Sequence, residues 1–228
     1  MANAIIEMCS FSLKIGGRTV LNEISLEIEE GQYVAIVGQN GAGKTTLLKC
    51  LNRIHTGGSG EIRIAGRLLG QYSQKKLAQL VSYVPQADGR SAPFTVYEFV
   101  MMGRYPYLNA FSSPSEKDVA AVHDALALTG TSEFAERLLG TLSGGERQKV
   151  FIAAALAQEA KILLLDEPTT FLDPKHEADV QRLLARANRE RAVTIISVTH
   201  DINSAVLTSQ RILALKRLVD ILKVADKI

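Results

Sequence analysis

Gly38-Gln39-Asn40-Gly41-Ala42-Gly43-Lys44-Thr45 lies between an apolar run, Tyr33 to Val37, and a helix-like segment running from Thr45 to Ile54. This GxxxxGK[ST] spacing lets the backbone curl so that successive N–H groups converge on phosphate oxygens. The helix behind it adds roughly half an elementary positive charge at its N-terminus. Lys44 can reach the β and γ phosphates of a nucleotide, the Thr45 hydroxyl can ligate Mg²⁺, and Thr46 completes the nucleotide-binding stretch. A plain glycine turn opening a helix would use the same residue types, but the order strand, loop, helix is the one that phosphate binding needs.

Ile162-Leu163-Leu164-Leu165-Asp166-Glu167 ends a second apolar strand in two adjacent carboxylates, the place where α/β sheets carry their ligand sites. Asp166 can hold Mg²⁺ through water. Glu167, one residue further, can face the γ-phosphate and orient or deprotonate the attacking water, a role worth roughly 10²- to 10⁴-fold in rate. Alone, the pair reads equally as a strand ending in solvated acids. With the phosphate loop it reads as the metal and water site of a P-loop nucleoside triphosphatase.

A third element lies between these two. Leu142-Ser143-Gly144-Gly145-Glu146-Arg147-Gln148 is another glycine-bearing helix start, with Ser143 and backbone amides as anion donors. One γ-phosphate has no use for two such cradles unless they come from different copies. LSGGERQ followed by LLLDEPTT resembles the signature and Walker B motifs of ABC ATPases, and the resemblance covers roughly Ile5 to Leu215. It implies a head-to-tail dimer, with a second copy or a homologous subunit, in which ATP lies between the phosphate loop of one subunit and Leu142, Ser143, Gly144, Gly145 and Glu146 of the other.

The same resemblance implies further roles. Gln86, in Tyr-Val-Pro-Gln, corresponds to the Q-loop glutamine that contacts Mg²⁺ or water; Asp173, in Phe-Leu-Asp-Pro, to the D-loop aspartate crossing the dimer interface; His200 to the switch histidine on the γ-phosphate. The implied catalytic set is Lys44, Gln86, Glu167 and His200, the metal set Thr45, Gln86 and Asp166, and the cofactors ATP and Mg²⁺. His55, His123 and His176 belong to no such constellation and read as surface or packing residues. Thr95-Val96-Tyr97-Glu98, Met102 to Pro106, Leu156-Ala157-Gln158 and His200 to Ala205 look most like the import class serving iron-siderophore, haem and cobalamin permeases. The expected assembly adds two permease subunits, with a substrate-binding protein reached through them, at the cytoplasmic face of the cell membrane.

Two places depart from the family pattern. Where relatives carry an aromatic ring to stack on adenine, ahead of Gly16-Gly17, this chain has Ile15, which supplies apolar contact only. Beyond Lys216 no glycine occurs, and Leu218, Ile221, Leu222 and Ala225 fall at helical spacing, so the tail Arg217 to Ile228 reads as a short amphipathic helix.

The elements needed to position these groups follow from periodicity. Glu23 to Ile28, Glu61 to Ala65, Leu80 to Val84, Val193 to Val198 and Ile212 to Leu215 read as strands, joining the two apolar runs above. Helices are expected at Ser73 to Leu80, after Pro174 and at Ile202 to Thr208. From about Ala87 the pattern turns helical, with segments at Thr95 to Arg104, Glu116 to Leu128 and Glu146 to Ala157. The expected fold is α/β: a P-loop core of ABC ATPase type with a mainly parallel sheet, an N-terminal antiparallel β part and an inserted helical subdomain. One domain is expected, with residues 1–86 and 159–228 as nucleotide-binding core and 87–158 as the helical signature subdomain.

Composition narrows the alternatives. The chain has 228 residues, 46% of them apolar, and its 26 basic and 24 acidic residues are interspersed. That is enough for a substantial core and too even for a polyanion-binding surface, so Arg182, Arg186 and Arg189 read as a solvated face and no nucleic acid partner is expected. Cys9 and Cys50 have no metal-ligand spacing, and no apolar stretch approaches the ~18 residues that span a bilayer. A soluble ABC ATPase acting on nucleic acid or ribosomes would carry a coiled-coil insertion or tandem cassettes. A P-loop kinase would not explain Leu142 to Gln148, and a non-hydrolysing module would not need Glu167 and His200.

Overall fold

The computed structural model describes residues 4–86, 93–109, 113–216 and 221–226. The chain opens with strand β1 (Ala4–Ile15), which returns through Gly16 and Gly17 as β2 (Arg18–Glu29), antiparallel, with Ile15 opposite Arg18. β3 (Tyr33–Val37) leads into α1 (Lys44–Leu51), followed by β4 (Ser59–Ile64), β5 (Arg67–Leu68), α2 (Gln74–Ala78) and β6 (Val81–Val84). Three helices come next: α3 (Val96–Met102), α4 (Glu116–Thr129) and α5 (Gly144–Ala157). The chain then runs through β7 (Ile162–Asp166), α6 (Pro174–Arg191), β8 (Thr194–Val198), α7 (Ile202–Thr208), β9 (Arg211–Leu215) and β10 (Ile221–Asp226).

The described residues form two sheets, one ordered β2-β1-β4-β5 and antiparallel, the other β10-β9-β3-β8-β7-β6. In the second, β9, β3, β8, β7 and β6 run parallel. Every residue of β3, β7 and β8 is buried, as a sheet covered on both faces requires. Alternate side chains of these strands feed different clusters, with Ala35 and Val37 of β3 packing against Ala205 and Ile212. Val34, Ile36, Leu164, Ile196 and Val198 pack with α1 and the antiparallel sheet, while Leu163, Leu165 and Ile195 pack with α6 and the three-helix block.

That block is tied together by a buried charge. Arg104, 1% exposed, donates to Asp118 at the start of α4 (2.9 Å), to the Ala157 carbonyl at the end of α5 (2.6 Å) and to Glu159 (2.8 Å), and its guanidinium lies over the Tyr107 ring. A buried cation is tolerated only when its donors are satisfied in this way. The expected start of the helical segment at residue 87 lies outside the described residues.

The tail departs from expectation. Ile221–Asp226 is not helical but pairs antiparallel with β9, Ile221 opposite Leu215 and Val224 opposite Ile212; Leu218 lies outside the described residues. The outer edge of β9 would otherwise present unpaired N–H and C=O groups. A helix this short gains too few internal hydrogen bonds to compete. β1 was also not foreseen as a strand. Its register shifts between Met8 and Phe11, with Ser10 at φ 45°, so the apolar alternation that marks a strand is interrupted. Arg182 and Arg186 pair with Asp179 and Glu190 on the exposed face of α6.

Candidate functional site

The loop after β3 is shaped by close backbone approach. A methyl group on Gly38 would stand 2.2 Å from the Leu215 carbonyl oxygen, so β9 leaves room only for glycine there. Gly43 sits against Val20 and Leu21 of β2, which seats the loop on the antiparallel sheet. Gln39 to Ala42 close a turn through the Ala42 N–H on the Gln39 carbonyl (3.1 Å). Lys44, 6% exposed, folds back so that Nζ donates to the carbonyls of Gly38 (2.8 Å) and Gln39 (3.1 Å), while Asn40 and Gly41 stay exposed. Thr46 occupies the first turn of α1. Ile15, 42% exposed, ends β1 on the hairpin whose second strand carries Val20 and Leu21.

The parallel sheet then brings distant residues to the loop. The Thr45 hydroxyl donates to Asp166 Oδ1 at 2.8 Å, and the Tyr83 hydroxyl, from β6, donates to Asp166 Oδ2 at 3.1 Å. Burial, and then the neighbouring Asp166 charge, push the Tyr83 phenol well above its ordinary range, so it stays a donor. Among the described residues no group of three or more His, Cys, Asp or Glu side chains could hold a metal by itself. A hydroxyl and a carboxylate already in contact suit Mg²⁺, which binds through one or two protein oxygens and completes its shell with phosphates and water.

Glu167 adopts φ 50°, a left-handed backbone that costs a non-glycine residue roughly 1–3 kcal/mol. Its N–H donates to the Val198 carbonyl of β8 (3.0 Å), which holds the turn. Three side chains converge on Oε2: Gln86 Nε2 donates at 3.1 Å, Thr170 Oγ1 donates at 3.0 Å, and His200 Nδ1 lies at 3.7 Å, an ion-pair separation beyond hydrogen-bond reach. The structure thus brings Gln86 to the glutamate rather than to Asp166. Tyr83 and Thr170 were given no role from sequence, although both lie inside quoted motifs, Tyr83 opening Tyr-Val-Pro-Gln and Thr170 closing LLLDEPTT.

Leu142 is buried before the signature turn, and Ser143 caps α5, with Glu146 N–H donating to its hydroxyl (3.3 Å) and its own N–H donating to Glu146 Oε2 (2.8 Å). The Ser143 backbone N–H is the main reason the Glu146 carboxyl titrates below its ordinary range. Asp173 caps α6, accepting from the N–H groups of Lys175 (3.0 Å) and His176 (3.1 Å), and its carboxyl is lowered chiefly by the His176 side chain. Among the described residues no hydrogen bond joins residues 142–146 to residues 38–46. Within one copy the second cradle does not complete the first.

The ABC transporter family matches residues 21–170 of the chain. The chain is 41% identical over 202 residues to the uncharacterized ABC transporter ATP-binding protein YvrA of Bacillus subtilis, an alignment covering 88% of this chain and 46% of that one. It is 39% identical to the iron(3+)-hydroxamate import ATP-binding protein FhuC of Bacillus subtilis, over 89% of this chain and 75% of the relative. Identity is also 39% to the ferric enterobactin transport ATP-binding protein FepC of Escherichia coli, over 90% and 76%. So the chain spans about half of the first of these relatives and three quarters of the other two.

Among solved structures, an inward-facing metal-chelate type ABC transporter superposes with a TM-score of 0.84 at 29% identity, over 97% of this chain and 84% of that one. A dimeric bacterial ABC transporter cassette gives 0.78 at 30% identity, over 93% and 94%. The loop, paired carboxylates and second cradle fall on one continuous family match, and the chain belongs to the ABC transporter family as an ATP-binding subunit.

Proposed function

We propose that this chain hydrolyses ATP to energise import of a metal chelate of the iron-siderophore, haem or cobalamin kind. The observation that carries the hydrolytic part is the convergence of Gln86, Thr170 and His200 on one oxygen of Glu167. The import part rests on the likeness to FhuC and FepC.

In this reading the amides of Gly38 to Thr46 and the Lys44 ammonium cradle the phosphates, Lys44 exchanging its two loop carbonyls for phosphate oxygens. Ile15 lies against the base. Thr45 and Asp166 would hold Mg²⁺, with Gln86, whose Nε2 here donates to Glu167, reaching the ion through its amide oxygen; when bound, the ion would neutralise developing charge on the phosphates. Glu167 Oε2 accepts a proton from the attacking water as the new O–P bond forms and the bond to the ADP oxygen breaks; His200 donates to the γ-phosphate. Leu142 to Glu146 and Asp173 act across the head-to-tail dimer on the nucleotide held by the second copy.

Closure and opening of that dimer pass to two permease subunits. The groove of about 360 Å³ between Gln86, Phe99, Met102, Phe151 and Gln158 receives the permease, because its lining includes the glutamine bonded to Glu167. A substrate-binding protein acts through the permease, and the chain is peripheral at the cytoplasmic face of the membrane. Affinity capture of the tagged chain from detergent-solubilised native membranes, with ATPase assay of the captured material, tests this. Co-purification of a polytopic permease with Lys44-dependent hydrolysis is expected. An active protein recovered with no membrane partner would instead indicate a non-transport ATPase.

A further inference from the structure

The segment after Glu167 packs directly on the signature turn. A methyl group on Gly145 would stand 2.2 Å from His176 Cδ2, 2.4 Å from Cγ and 2.8 Å from Cβ, and one on Gly144 would meet Leu172 Cδ2 at 3.9 Å. The imidazole therefore lies across Gly145 in space that no side chain at 145 could share. Its Nδ1 is bonded to Asp173 Oδ2, while Asp173 Oδ1 accepts from the N–H groups of Lys175 and His176. Pro174 at the first position of α6 removes further slack from this joint. The ring is held by the aspartate that caps α6 on one side and lies against Gly145, the second residue of α5, on the other.

We propose that His176 is a positioning residue that ties Asp173 to the signature turn, so that the two groups this chain offers to a second copy move as one block. The inference rests on the head-to-tail reading above. Anion-binding donors must be held to within about half an ångström to act on a nucleotide they do not themselves carry. A ring pinned at both ends supplies that tolerance, and it explains why position 145 is glycine independently of any phosphate.

The test uses the Glu167→Gln chain, expected to bind ATP without turning it over, with its dimerisation followed by sedimentation in Mg-ATP. Adding His176→Ala is expected to raise the dimer dissociation constant at least tenfold while the monomer binds a fluorescent ATP analogue unchanged; His176→Gln, which keeps a donor for Asp173, recovers part of the loss. A dimer constant equal to that of the Glu167→Gln parent would overturn the proposal and leave the head-to-tail reading standing. A parent that forms no ATP-dependent dimer would overturn both. Thermal melting of a cycle with Gly145→Ala reads the contact without nucleotide: the added methyl is expected to lower Tm far less when His176 is alanine, and additive shifts would overturn the proposal.

Discussion

The Thr45 hydroxyl donates a 2.8 Å hydrogen bond to Asp166 Oδ1, although 121 positions separate the two in sequence. Thr45 stands in the first turn of α1 and Asp166 at the end of β7, and Tyr83 occupies the second carboxylate oxygen. The oxygens proposed for Mg²⁺ are thus oriented by the fold itself.

Tyr83→Phe removes a bond to the carboxylate without emptying the space. It is expected to raise the Mg²⁺ concentration for half-maximal ATP hydrolysis by about tenfold, in line with other partners that orient metal ligands. EDTA should stop hydrolysis in both proteins and excess Mg²⁺ restore it. An unchanged Mg²⁺ titration would remove Tyr83 from the site.

Glu167→Gln keeps a hydrogen-bonding side chain but no proton acceptor. Steady-state phosphate release should fall by roughly 10²- to 10⁴-fold while equilibrium nucleotide binding is retained. Turnover at the normal rate would assign the base elsewhere.

Ile15→Tyr tests the missing aromatic. Stacking on a base is worth ~1–3 kcal/mol in single-stranded nucleic-acid binders, which corresponds to about 5- to 150-fold in affinity. Tighter binding of ATP, measured with a fluorescent analogue, is expected, and equal affinity would place the base away from the end of β1.

Asp118 should lend the helical block a stability that depends on pH. The Ser115 hydroxyl and N–H, and then Arg104, lower its carboxyl to about 2. A depressed folded value means the stabilisation is fully present above the unfolded value of about 3.9 and is lost as pH falls toward the folded one. The gap in Tm between the native chain and Asp118→Asn should therefore be widest above about pH 5 and narrow steadily below about pH 4. A gap that ignores pH would show that the carboxylate charge contributes nothing.

Legibility from sequence followed the range of the interaction. β3 and α7 form over the residues their patterns indicate, because a five-residue apolar run and an amphipathic turn are local signals. β1 was hidden by its irregularity at Ser10, and the tail was misread because its partner, the edge of β9, is a tertiary feature. The site divides the same way. Motif spacing pointed to Lys44, Thr45, Asp166 and Glu167, and family resemblance added Gln86 and His200. The Tyr83 bond to Asp166, the Arg104 ion pair and the His176 contact with Gly145 depend on packing between elements distant in sequence, and no local pattern announces them.

The left-handed backbone at Glu167 sets folding against turnover at a single position. Glycine there would relieve the roughly 1–3 kcal/mol of backbone strain and at the same time delete the carboxylate on which three side chains converge. Backbone relief favours glycine at this position while the lost side-chain contacts oppose it, so a library selected for heat resistance will need an activity screen to keep the carboxylate.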